Sequence, residues 1–265
     1  MSTVPIAAIP VWPQVGAIAR RSVTRTMRQP ASIVPALVFP VALLTLYSAG
    51  LQRSTDLPGF PTDSFFAFML AVPFIQGALF STMIAGTDLA RDIQTGFLNR
   101  LSLTALRDSA LLVGQLSGVV ALGVVQATFY LSVGLLAGVH IAAGAAGVVV
   151  LLVYAVLVSL SFGALGAYLA LRTGSGESIQ ALFPLLFVFL FISSMNTPRN
   201  LIGVQWFKTA ATLNPVSYMI ECIRSLIIIG WDPEALVLGF AFVGVIGVAS
   251  LFFASRALRT RLTRT

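Results

Sequence analysis

Charge is scarce in this sequence. Charged residues make up 9% of its 265 positions, where a soluble domain carries about a quarter. Hydrophobic residues make up 57% and the mean hydropathy is +0.95, so an ordinary soluble domain is excluded and a polytopic membrane protein is indicated. Cysteine is nearly absent: Cys222 stands alone, which rules out an internal disulfide and any multi-cysteine metal site. The single histidine, His140, falls in a glycine-rich turn and reads as a loop residue rather than a ligand. The single lysine, Lys208, follows Phe207, so the Gly-Lys pair of a phosphate loop is missing and ATP hydrolysis by this chain is not expected. Carboxylates are missing from the apolar runs, apart from Glu234 at the start of the last one. That leaves no proton relay, no acid–base pair and no metal site inside the membrane.

What remains is arginine. Fifteen of sixteen basic residues are Arg, a bias typical of GC-rich bacterial genomes. The net charge of +7 could suggest nucleic acid, but the arginines flank apolar runs, as the positive-inside rule requires. The pattern predicts an all-α membrane protein, one domain over 1–265, with spans at 31–51, 64–86, 109–136, 146–171, 178–195 and 234–255. The first apolar run is 21 residues long, beyond the about 7–15 of a signal peptide, and reads as a retained span kinked by Pro35 and Pro40. Ahead of it, in the segment 1–30, residues 12–29 predict a helix opened by Pro13 and stopped by Pro30. Trp12, Val15, Ala19, Ser22/Val23 and Met27 form its weakly apolar stripe, with Arg21, Arg25 and Arg28 on another face. That suits a helix lying in the headgroup layer; a plain basic flank is the alternative. Six spans put both termini on one side. Twelve basic residues fall on that side against four on the other, which predicts cytoplasmic termini in the plasma membrane.

Two stretches stand outside the spans. Residues 87–108 begin TDLARDIQTGFLNRLSLTALR. A charge at the centre of a membrane helix costs about 2.5–3.5 kcal/mol, so this segment must leave the bilayer. Leu89, Ile93, Phe97 and Arg100/Leu101 recur at helical spacing and predict an amphipathic helix over 90–103, with Asp92, Gln94, Thr95 and Asn99 toward its rim. Its apolar face either plugs into a partner or packs beneath spans two and three. Residues 196–233 are too polar for a span and too apolar for a free loop. There Asn214 can cap, and Pro215 open, a short helix, and Glu221 and Arg224 stand three apart and can pair. A helix this short is interfacial or re-entrant, on the extracytoplasmic side by parity: a lid over the exit or a plain surface helix.

These two stretches resemble the membrane subunits of ABC-2-type exporters, most closely the daunorubicin-resistance branch. Asn214-Pro215-Val216-Ser217-Tyr218 with Glu221 and Arg224 is similar to the motif before that family's last span. Arg91-Asp92, Gly96, Arg100-Leu101, Leu103-Thr104 and Arg107 are similar to its cytoplasmic loop between spans two and three. The resemblance implies a permease half powered by two copies of a separate ATP-binding subunit, which would hold ATP and magnesium; the chain itself would bind no cofactor and no metal. It implies pairing with a second permease chain, identical or similar, and export of an amphiphilic drug-like or lipid-like substrate. Leu89, Arg91, Asp92, Ile93, Gly96, Phe97, Arg100 and Leu101 would carry the coupling to the ATPase. Family loops are more acidic than Ile93, Gln94 and Phe97 suggest here, which implies a less ionic contact. A second reading of the same residues is a membrane scaffold that recruits a cytoplasmic partner and transports nothing.

Overall fold

The computed structural model describes residues 11–102 and 107–262, and every regular element among them is helical. The α-helices are α1 (Val11–Met27), α2 (Pro30–Leu51), α3 (Phe65–Met69), α4 (Ala71–Gln94), α5 (Phe97–Ser102), α6 (Asp108–Leu136), α7 (Gly144–Thr173), α8 (Gly176–Phe191), α9 (Gln205–Leu213), α10 (Pro215–Arg224) and α11 (Pro233–Leu262). One π-helical turn, Ser225–Ile229, extends α10.

Five stretches are long and apolar enough to cross a bilayer: Pro30–Asp56, Phe65–Gln94, Ser109–Leu136, Gly144–Thr173 and Pro233–Arg261. The apolar α8 has 16 residues, short of the about 20 that a straight span needs. It ends at Phe191, so the expected span 178–195 stops four residues early. Helix α9 and the extended α10 meet at an 80° bend at Asn214. The protein is thus a multi-pass membrane protein of about six membrane helices plus a bent helix pair.

The region of α4 and α5 differs from expectation in two ways. The second span does not stop at residue 86: α4 runs on to Gln94. Its added turns carry Asp88 and Asp92, whose charges are met by α1. The amphipathic helix expected over 90–103 is broken at Gly96, whose φ of +68° ends one helix before Phe97 starts the next. Residues 103–106, with Leu103 and Thr104, lie outside the described residues.

Helix α4 is the axis of the bundle, 89% buried over its most apolar window. Small residues bring its neighbours close, as in other membrane bundles. A Cβ on Gly166 of α7 would lie 2.1 Å from the Thr82 carbonyl oxygen. Thr82 Oγ1 donates to the Phe162 carbonyl at 3.0 Å across the same contact. Helix α11 closes on α7 where a Cβ on Gly247 would meet Ser161 Oγ at 2.6 Å. Pro40 deprives the Ala36 carbonyl of its helical N–H donor. The hydroxyl of the fully buried Tyr130 on α6 donates to that carbonyl instead.

Candidate functional site

Helix α1 runs along the N-terminal end of α6 in the same direction rather than lying free. Gln14 Oε1 accepts from the Arg107 N–H at 3.2 Å, and Ser22 Oγ donates to the Gln115 carbonyl at 2.6 Å. The seat on α6 is Gly114 and Gly118, four apart. A Cβ on Gly114 would sit 2.6 Å from Ile18, and one on Gly118 would meet Ser22 and Thr26 hydroxyls at 2.6 Å. The row buried against α6 is therefore Gln14, Ile18, Ser22 and Thr26, which shares only Ser22 with the expected apolar stripe; Trp12 is 81% exposed. Small hydroxyls and an isoleucine fit a glycine seat that an indole does not.

The next face of α1 turns to α4. Arg21 donates to both carboxylate oxygens of Asp92, at 3.0 and 2.8 Å. Arg25 donates to Asp92 Oδ1 at 2.6 Å and approaches Asp88 Oδ1 at 3.2 Å, and Gln29 Nε2 donates to Asp88 Oδ1 at 3.0 Å. The two carboxylates are buried. Hydrogen bonding to Asp92 holds the Arg21 guanidinium above its usual pKa, against the opposing effect of burial. The Arg21 guanidinium also stacks 3.8 Å from the centre of the Phe97 ring at the start of α5. One arginine thus joins α1, α4 and α5. The expected basic face is split: Arg21 and Arg25 are drawn inward to carboxylates, and only Arg28 stays exposed.

The expected insertion face of residues 87–108 is rearranged accordingly. Leu89 is buried in a cluster with Ile18, Leu98, Leu112, Leu116 and Ile179, and the half-buried Ile93 packs against it. Asp92 lies under α1 instead of on the rim. Phe97 is half-buried beneath Arg21. The exposed tip consists of Arg91, Gln94, Thr95 and Arg100, around the half-buried Gly96 turn. The Leu101 side chain is outside the described ones. Asp88, Gln14 and Gln29 were not anticipated; the four-residue spacing of Gly114 and Gly118 was the signal that could have found the α1 seat.

A second polar cluster lies at the other end of the bundle. Asn214 caps α10, its Oδ1 accepting from the Val216 N–H at 2.9 Å. Its Nδ2 donates back to the Phe189 and Ile192 carbonyls at the end of α8. Pro215 occupies the first turn of α10, where no N–H donor is needed. Arg224 does not pair with Glu221 as its spacing suggested. It donates to three carbonyl oxygens, of Phe68 at 3.1 Å, Ser194 at 3.1 Å and Met195 at 3.0 Å, and its guanidinium lies 3.5 Å from the Phe68 ring centre. Glu221 pairs with Arg199 instead. Arg199 stacks 4.3 Å from the Tyr218 ring, which is itself stacked on Phe242. Helix geometry allowed an intrahelical pair; chain ends at α3 and α8 with unmet carbonyls drew Arg224 away. A cavity of about 350 Å³ opens beside this cluster, lined by Phe68, Tyr218, Glu221 and Arg224 among others. Among the described residues no group of three His, Cys, Asp or Glu side chains is placed to hold a metal.

The arrangement has known relatives. The family model of the ABC-2 type transporter matches residues 13–228. The "Daunorubicin resistance ABC transporter permease protein DrrB1" of Streptomyces coeruleorubidus is 32% identical over 171 residues, a match that covers 62% of this chain and 58% of that protein's length. The family match runs from the first turn of α1, through the α4–α5 tip, to the turn that ends α10, so both polar clusters lie inside it. This chain therefore belongs to the ABC-2 type transporter membrane family.

Proposed function

We propose that this protein is the membrane-spanning subunit of an ATP-driven exporter that moves an amphiphilic, drug-like or lipid-like molecule out of the cytoplasm. A separate ATP-binding subunit, in two copies with ATP and magnesium, supplies the energy; this chain pairs with a second permease chain and hydrolyses nothing itself. The α4–α5 tip and both termini lie in the cytoplasm, and the bent α9–α10 pair lies on the outer side. The observation that carries the reading is the Arg21 junction. It ties the exposed tip to α1, and α1 leads within three residues, across Gln29, into the first span at Pro30. A push on Arg91, Thr95 or Arg100 reaches α2 through two charge-assisted contacts rather than through a flexible linker. The test is co-purification of this chain with an ATP-binding subunit encoded beside it, followed by ATP hydrolysis and dye efflux in reconstituted vesicles. Hydrolysis that rises with an amphiphilic cation or lipid, and efflux that needs both chains, are expected. ATPase activity from this chain alone, or efflux without the partner, overturns the proposal.

A further inference from the structure

Beyond export, the end of the bundle that carries the α4–α5 tip has a groove of about 610 Å³ between the last turns of α7 and the inner end of α11. It is lined by Tyr168, Leu171 and Arg172 of α7 and by Phe253, Arg256, Thr260 and Arg261 of α11 among others, and no Asp or Glu lines it. Gln94 at the tip donates to Gly174 at the end of α7, which fixes the groove at the same level as the tip. Arg261 donates to the Leu171 carbonyl at 2.8 Å and so braces the two helices together. Arg172 and Arg256 are exposed and have no carboxylate or hydrogen-bond partner for their guanidinium groups among the described residues. That contrasts with Arg21 and Arg25, whose charges are met by aspartates.

The groove has an apolar half as well. The Tyr168 and Phe253 rings lie 5.7 Å apart, and Phe253 is 49% exposed. From Phe253 an exposed apolar row runs along α11 through Phe252, Val248 and Val245. Positive charge therefore sits at the end of an apolar wall, the order in which headgroups follow a hydrocarbon core. A basic pocket between spans, open to the bilayer, matches an anionic phospholipid: phosphate against the guanidinium groups, acyl chain against the rings. A second copy of this chain would bring a like-charged groove against it, which charge repulsion opposes.

We propose that this groove is a binding site for an anionic phospholipid of the inner leaflet, with Arg172 and Arg256 on the phosphate and Tyr168 and Phe253 against an acyl chain. The proposal does not depend on export; its choice of the inner leaflet rests on the cytoplasmic placement of the termini proposed above.

The experiment is native mass spectrometry of the full chain, purified in detergent and supplied with phosphatidylglycerol or phosphatidylcholine. Wild-type protein is expected to retain phosphatidylglycerol in preference to phosphatidylcholine, and R172Q/R256Q to retain at least fivefold less of it. R172K/R256K, which keeps both charges, is expected to retain most of it, and thermal unfolding of each variant confirms that it is folded. R20Q/R28Q removes two exposed arginines at the same end and should leave retention near wild type. Equal retention by wild type and R172Q/R256Q overturns the proposal. So does an equal fall in R20Q/R28Q, which would mean general positive charge rather than a site. Unchanged lipid retention with lost binding of the ATP-binding subunit would assign the groove to a protein partner and overturn it as well.

Discussion

Two clusters of polar side chains hold the ends of this bundle, and the buried Arg224 of one is held differently from Arg21 and Arg25 of the other. At the α1 end, Arg21 and Arg25 meet the carboxylates of Asp92 and Asp88. At the α10 end, Arg224 donates to three backbone carbonyls and lies on the face of Phe68. An ion pair in part-exposed surroundings can be screened by salt, exchanged or broken by a moving partner. A guanidinium holding three carbonyls is a fixed knot, since leaving buried polar groups unmet costs about 1–3 kcal/mol apiece. The Asp92 cluster has the properties of a joint and the Arg224 cluster those of a brace.

The largest effect should therefore come from the brace. Arg224→Met keeps most of the volume but leaves the Phe68, Ser194 and Met195 carbonyls without donors. The expected loss is several kcal/mol, on the order of 3 or more, seen as a large fall in thermal stability and in folded yield from membranes. Arg224→Lys should recover only part of it, because an ammonium cannot spread donors over three directions as a guanidinium does. Raising the salt to about 1 M should leave the Arg224 contacts of the wild type intact, as their partners are uncharged and buried. A stable Arg224→Met protein would mean that the α10 end is not braced in this way.

The joint should show a smaller effect that salt reproduces. Removing one partner of a fully buried pair costs about 3–5 kcal/mol, but Arg21 is more than a third exposed, so Asp92→Asn should cost ~1–2 kcal/mol. The more telling readout is local. Protease should cut around Gln29 in Asp92→Asn, and in wild type at about 1 M salt, while the rest of the bundle stays protected. The swap Arg21→Asp with Asp92→Arg should restore protection. Unchanged cleavage in all three cases would show that the glycine seat on α6, not the charge, holds α1.

A third prediction tests a contact between these two ends, in the middle of the bundle. Tyr130→Phe leaves the Ala36 carbonyl unmet and should cost about 1 kcal/mol in thermal stability, near the range of membrane hydrogen bonds. Pro40→Ala returns an N–H to that carbonyl, so Tyr130→Phe with Pro40→Ala should be closer to wild type than additivity predicts. Additive losses would remove the proline-freed carbonyl as the reason for the buried tyrosine.

Much of the frame was legible because membrane helices announce themselves by length and by missing charge. The start of α2 and the span of α6 follow from Pro30 and from the uncharged run after Asp108. Asn214-Pro215 was legible from two adjacent residues, since capping is local. Partner choice was not. Arg21 and Asp92 are 71 residues apart, and nothing in either neighbourhood says that they meet. Asp88 and Asp92 read as solvent charges because a carboxylate on a helix is most simply explained by water; only the docking of α1 makes their burial affordable. The choice of Arg224 between Glu221 and three carbonyls was likewise set by the folded ends of α3 and α8, which no helical spacing encodes.

The smallest effect, and the sharpest question, belongs to Phe97. It begins α5, half-buried under Arg21, with Leu89 and Leu98 buried on neighbouring turns. Phe97→Ala removes a stacking contact worth about 0.5–1 kcal/mol at a partly exposed site, together with part of a ring's burial. The fold should survive with a slightly lower thermal stability, since Arg21 keeps its two bonds to Asp92. What should change is the angle between α5 and α4, because Gly96 supplies no side chain to hold it and the packing of Leu98 in the Leu89 cluster is left to fix α5. If Phe97 orients the tip, the variant should keep α1 protected from protease, keep substrate-independent stability, and bind the ATP-binding subunit several-fold more weakly. Phe97→Tyr, which keeps the ring beneath Arg21, should then bind normally, and Asp92→Asn with Phe97→Ala should be no worse in binding than the more severe single change. A variant that loses α1 protection while still binding its partner at full strength would place Phe97 inside the joint alone, and the exposed Arg91, Thr95 and Arg100 would carry the docking without it.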